Sequence, residues 1–226
     1  MKIKLASILF ITYLVFNITQ VAYAQDQEFK YGARFGIGES TLKIGSSNSY
    51  YSRLALTGGI ASDYSFSKYV GIGADFMLSF KGGSTDGSVI EKDIFNNETA
   101  YKYEGDVRLV YGELPIALNV KYPITDNFSL KVFAGPSINF KFLGLESRTF
   151  ENSGYNDDHG YQDRSISGLN TTQFDFFYGA GVVVQNENEQ IYFLDFRLGQ
   201  SIGDMGVLDN QALTGKYFHI SAGYLF

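Results

Sequence analysis

The side chains able to do chemistry in this chain are few and stand singly. Arg34, Asp75, Glu113, Lys131, Asp175, Asp195 and Arg197 each interrupt a stretch of apolar, glycine and serine residues. Each falls on the non-apolar side of a two-residue alternation, so the seven can share one face or one interior. There they either pair with one another as a filling or line a path for an ion or small ligand. An unpaired charge in a confined space is costly, which favours the paired filling. The expectation is an interior charge network made by these seven residues.

Other constellations are weaker. His219, Ser137 and Asp195 lie on the same side of their strands and are the residue types that acyl transfer uses. No Gly-x-Ser-x-Gly or comparable signature accompanies them, so no catalytic residue is assigned and no enzyme is expected. The stretch 151–163 carries Glu151, Asp157, Asp158, His159 and Asp163, hard ligands that suit a divalent cation. It lacks the spacing of a calcium loop and reads as a solvated acidic loop. Gly71-Ile72-Gly73 and Gly179-Ala180-Gly181 resemble phosphate loops only superficially, because no helical segment follows either of them. No cofactor and no metal are expected. With no cysteine in the chain, disulfides and thiolate metal sites are excluded.

These residues must be positioned by strands. Tyr (17), Phe (20) and Gly (25) are abundant and Pro (3) is scarce, a composition that favours strand over helix. Eight stretches alternate with period two. They centre on Phe29–Ile37, Leu54–Ile60, Val70–Phe80, Leu114–Tyr122, Leu130–Phe140, Phe174–Val184, Leu194–Leu198 and Phe218–Phe226. The connections, near 38–52, 62–68, 82–105, 123–127, 142–171, 186–190 and 201–214, run long, short, long, short, long, short, long. That pattern predicts an all-β, eight-stranded, antiparallel up-and-down barrel, with the short turns at one end and the long loops at the other. Residues 1–24 differ in kind: Lys2 and Lys4, an apolar run, then Ala22-Tyr23-Ala24 before polar Gln25-Asp26. This is the pattern of a cleaved secretory signal peptide, with a retained anchor as the alternative. A single barrel domain over 25–226 is expected to follow.

The polar faces decide what surrounds the barrel. They are rich in Gly and Ser with isolated charges, whereas strands facing water carry many Thr, Lys and Glu. Aromatic residues gather near strand ends at Tyr69, Phe80, Tyr122, Phe128, Tyr224 and Phe226, where interfacial girdles belong. The reading is a transmembrane barrel with its apolar faces in lipid and both termini on the periplasmic side. A soluble lipocalin-like barrel, with the faces exchanged, is the alternative fold. The formal net charge of −6 argues against a nucleic-acid partner.

Two stretches carry a family resemblance. Tyr111-Gly112-Glu113-Leu114-Pro115, with Ala134-Gly135-Pro136-Ser137 after the following turn, resembles the corresponding strands of the PorT-like outer-membrane β-barrel proteins of Bacteroidetes. Leu194-Asp195-Phe196-Arg197-Leu198-Gly199 is similar to another strand of that family, with Leu198 where Tyr is common. The final Phe226 is the usual last residue of barrels received by the outer-membrane assembly machinery. The resemblance implies an eight-stranded barrel in the Gram-negative outer membrane, in contact with its lipid. It is compatible with a structural or interaction role, in which long external loops engage envelope partners in secretion or surface assembly. A narrow transport or ligand-binding barrel is the competing function.

Overall fold

A computed structural model describes residues 28–44, 51–92, 95–150, 164–166, 168–208 and 211–226. The signal segment 1–24 and the acidic loop 151–163 lie outside the described residues. The main strands are β1 (Glu28–Ile44), β2 (Arg53–Ser65), β3 (Val70–Ala74), β4 (Phe76–Lys92), β5 (Glu98–Pro123) and β6 (Phe128–Phe150). A short β7 (Arg164–Ser165) precedes β8 (Thr172–Gln185) and β9 (Ile191–Ser201), and a short β10 (Gly206–Leu208) precedes β11 (Gln211–Leu225).

Every neighbouring pair is antiparallel and the sheet closes on itself. β1 pairs with β2 from Glu28↔Ser65 to Ser40↔Arg53, and with β11 from Gly32↔Leu225 to Ile44↔Leu213. Between them the ring runs through β3 and β4, then β5, β6, β8 and β9. Counting β3 and β4 as one wall strand, the ring has eight strands, which removes any sheet edge from lipid. The break between β3 and β4 falls at Asp75, opposite Pro115. Proline has no N–H to give, so the ladder keeps only the bond from Asp75 N to Pro115 O, at 3.1 Å.

The faces are inverted relative to a soluble barrel. Phe29, Tyr31, Phe35 and Ile37 on β1 are exposed, while Lys30 and Arg34 between them are buried. The same holds on β9, where Tyr192, Leu194 and Phe196 face outward and Phe193, Asp195 and Arg197 inward. A wall of exposed Leu, Ile, Val and Phe around a charged interior suits a lipid surround, and the lipocalin-like alternative, which needs the opposite arrangement, does not fit it. Aromatic rings crowd the turn end: Tyr31 meets Phe226 at 4.5 Å and Tyr192 meets Tyr224 at 5.1 Å between centroids.

Strand ends depart from the sequence reading. The predicted connection 82–105 is largely strand, because β4 runs on to Lys92 and β5 begins at Glu98. β6 likewise reaches Phe150, well inside the predicted connection 142–171. Past the apolar band the outward side turns polar at Lys102, Glu104 and Arg108 while residues such as Val107, Glu146 and Phe150 stay buried, so the apolar-out, polar-in alternation disappears. The register also shifts between Val110 and Tyr111 of β5, where Phe142 is the extra residue on β6. Phe142 and Leu143 accordingly both face outward in succession. The turn after β2 is short as expected, but covers 66–69 because β2 runs to Ser65.

Candidate functional site

The interior is built from large rings fitted over glycines and from charges that fill the remaining space. Phe133 of β6 faces Gly179 of β8, Tyr217 of β11 faces Gly199 of β9, and Phe193 of β9 faces Gly223 of β11. A Cβ at Gly199 would lie 2.2 Å from the Tyr217 ring, and one at Gly223 would lie 2.0 Å from the Phe193 ring. The missing side chain is therefore what lets each ring lie flat across the neighbouring strand. Gly135 answers a different constraint, since a Cβ there would meet the Ile116 carbonyl oxygen at 1.8 Å.

Against these rings the seven predicted residues are all buried, and they fall into two groups. The larger group joins Arg34, Asp75, Lys131, Asp195 and Arg197. Arg34 reaches Asp195 at 2.8 Å and Asp75 at 3.1 Å, and Lys131 reaches Asp195 at 2.9 Å. Arg197 approaches Asp75 only to 3.6 Å, while its guanidinium lies 4.5 Å from the Phe177 ring centroid. Nearer the long-loop end, Glu113 and Asp175 share Lys81, with Lys81 to Asp175 at 3.4 Å and a closer contact to Glu113. The Lys81 ammonium also lies 3.7 Å above the Tyr217 ring. Tyr217 stacks on His219 at 5.0 Å, and His219 stands opposite Arg197 in the ladder, so this ring pair separates the two groups.

Reading charges one at a time missed three participants. Lys81 is the cation of the second group, although it lies on the same alternating face as Asp75. Asp63 pairs with Lys121 at 2.9 Å and accepts a hydrogen bond from Asn119 at 2.7 Å, forming a third layer near the turn end. Their signal was parity: each stands an even number of residues from a recognised inward residue or inward glycine on its own strand. Ser137 is inward but donates to Asn139 at 2.7 Å, and none of its hydrogen bonds reaches His219. Among the described residues no three acidic or imidazole groups are placed to hold a metal.

Both ends of this filling are distinct. Towards the long loops, Leu42, Val107, Leu109, Tyr111, Ile166, Leu169, Met205 and Leu213 pack into one apolar cap. Its loop residues are tied down by backbone bonds, Ile166 N to Gly144 O at 3.0 Å and Met205 N to Leu213 O at 2.7 Å. Gly206 there has φ of 132° and carries the chain close to Gly168 and Leu169, a conformation and spacing that only glycine meets. At the turn end the interior opens into a wide mouth among Ser65, Lys68, Lys121, Asp126 and Gln185.

A sequence profile described as "Outer membrane protein beta-barrel domain" matches residues 23–206. The chain belongs to that family. Its lipid-facing wall and closed ring are those of a barrel that crosses the outer membrane with strands, and among the described residues no helix is long and apolar enough to cross one. No curated protein matches the sequence. Among solved structures, Neisserial surface protein A is 10% identical, with a TM-score of 0.48, covering 89% of this chain and 98% of that one. Ail, the attachment invasion locus protein of Yersinia pestis, is 16% identical with a TM-score of 0.40, in a complex with the heparin analogue sucrose octasulfate, covering 88% and 99%. The N-terminal barrel domain of Pseudomonas aeruginosa OprF is 11% identical with a TM-score of 0.30, covering 85% and 97%. The assignment rests on the profile match and on the barrel's own geometry.

Proposed function

We propose that this protein is a non-conducting anchor in the outer membrane that holds an extended strand projection at the cell surface for contact with other envelope proteins. The observation that carries the reading is the combination of a filled interior and a long projection. Cations and carboxylates interleave with aromatic rings through the barrel, and the apolar cap closes it towards the loops. An eight-stranded barrel is only wide enough for its own side chains, so such a filling supports anchoring over transport. On β5 the outward face changes from Tyr122, Val120, Leu118 and Ile116 to Arg108, Glu104 and Lys102. The strand continues from Arg108 back to Glu98, so at about 3.4 Å per residue the β4–β5 hairpin extends roughly 35 Å past the apolar band.

The orientation in this proposal puts the short turns, Glu28 and Phe226 in the periplasm, as in barrels with short periplasmic turns. PorT-like membership and delivery by the assembly machinery through Phe226 belong to the same reading, supported by the motifs of β5, β6 and β9 and by the aromatic last residue. Secretion or surface assembly is then the setting, with the projection and loops as the contacting parts.

The absence of native cysteine makes the test clean. On intact cells a membrane-impermeant maleimide labels Ala100→Cys in the projection and leaves Thr125→Cys in the β5–β6 turn unlabelled until the outer membrane is opened. In planar bilayers the purified barrel gives no steady ion current. Labelling of Thr125→Cys on intact cells overturns the orientation, and a stable conductance overturns the anchor reading.

A further inference from the structure

The larger ionic group does not balance. Three cations, Arg34, Lys131 and Arg197, face two carboxylates, Asp75 and Asp195. Asp195 accepts hydrogen bonds from Arg34 and Lys131 on one oxygen and lies within ion-pair distance of Lys131 on the other. Asp75 is held by Arg34 at 3.1 Å. Arg197 is left with a 3.6 Å approach to Asp75 and makes no hydrogen bond to any described residue, although only 6% of it is exposed. A buried guanidinium with idle N–H donors is a strong attractor for an anionic acceptor, because its donors are unmet and its charge is only partly balanced by the distant Asp75. The neighbouring layer near the turn end offers no spare charge, since Asp63 and Lys121 neutralise each other. The surplus carboxylate of the Lys81 group lies beyond the stacked Tyr217 and His219 rings.

Space is present where the charge is. The cavity there is lined by four cations, Arg34, Lys121, Lys131 and Arg197, against three carboxylates, Asp63, Asp75 and Asp195, so its wall carries one positive charge in excess, and its volume is about 30 Å³. That is room for one halide-sized ion or about two waters, and too little for a polyatomic organic anion. Lys121, Val183 and Ile191 line both this cavity and the wide mouth among the short turns, so the cavity lies directly behind that mouth. The apolar cap closes the other direction. The arrangement is thus a blind site entered from one side.

We propose that this cavity binds one small monovalent anion of the halide class, held chiefly by Arg197 with Lys131 and Arg34 at its wall. The bound ion completes the charge balance of the Arg34–Asp75–Lys131–Asp195–Arg197 group and occupies the donors that Arg197 has free.

The test uses the barrel refolded in detergent micelles and unfolded with urea at constant ionic strength in sodium chloride, sodium bromide or sodium gluconate. Gluconate is too large for the cavity. The expected result is a higher midpoint in chloride and bromide that saturates with halide concentration, and loss of that increment in Arg197→Met. Bromide-soaked crystals of the unsubstituted protein, which do not depend on the variant folding, are expected to give an anomalous peak beside Arg197. Equal midpoints in gluconate and chloride, an increment that Arg197→Met retains, or a cavity without anomalous signal in bromide each overturn the proposal and leave water as the filling.

Discussion

Replacing Asp195 by asparagine removes one negative charge and almost no volume. The carboxylate is 1% exposed and receives Arg34 at 2.8 Å and Lys131 at 2.9 Å. Arg34 keeps Asp75 and Ser221 after the change, whereas Lys131 has no other ion pair among the described residues. The group becomes three cations around one carboxylate, at a narrow cavity that meets water only through the turn-end mouth. Breaking a buried pair in this way costs about 3–5 kcal/mol, because the loss is dominated by the cation left behind and not by the contact itself. With a denaturant slope of about 2 kcal/mol per molar, the urea midpoint falls by roughly 2 M. The assay is urea unfolding in lipid vesicles, scored by the faster gel migration of the unboiled, folded barrel. Asp106→Asn is the internal comparison. It breaks the 2.8 Å pair with Arg53, whose side chains are 30% and 38% exposed, and such a pair is worth below about 1 kcal/mol. Equal small losses for both variants would refute the reasoning, since they would mean that Asp195 is solvated and that water threads the interior.

Two further outcomes follow from the wall. Ile116→Arg puts a charge on the lipid face midway along the apolar part of β5 and should cost about 2–4 kcal/mol in vesicles. Ala100→Arg in the projection should cost nearly nothing by the same unfolding assay, and equal costs would contradict a lipid surround. Gly199→Ala forces a Cβ into the Tyr217 ring and should cost about 1–3 kcal/mol. That penalty should shrink in a Tyr217→Ala background, and a penalty unchanged there would show that the ring is not what requires the glycine.

How much was legible in the sequence varied with depth in the membrane. Between the two water surfaces one face of each strand meets lipid and the other a packed interior, so Leu118, Asn119 and Val120 announce their sides by type alone. Arg34, Asp75 and Asp195 could be placed inside on this ground. Which of them touch could not, because contact depends on register across strands far apart in sequence, as with Arg34 and Asp195. Lys81 looked like the polar end of its stretch, and only the pairing of β4 with β5 brings it to Glu113. The rings of Phe133, Phe177 and Phe193 broke the polar face, and their reason lies in glycines on the adjacent strands. Gly82-Gly83-Ser84-Thr85 read as loop because four small residues in a row carry no apolar alternation, although Gly82 and Gly83 are buried at the base of the hairpin.

The inverted alternation has a consequence for the journey that precedes folding. A chain bound for the outer membrane must first pass through another membrane without stopping there. A helix able to live in lipid is a continuous apolar run, which is also what arrests a chain in transit. Here the apolar residues of the strands largely alternate with polar or small ones, and the mean hydropathy of the whole chain is only −0.08. Unfolded, the sequence presents in its strand segments no apolar run long enough for a bilayer to hold as a helix. Its affinity for lipid exists only after the strands have sorted their residues to two sides, so the protein becomes a membrane protein through the act of folding.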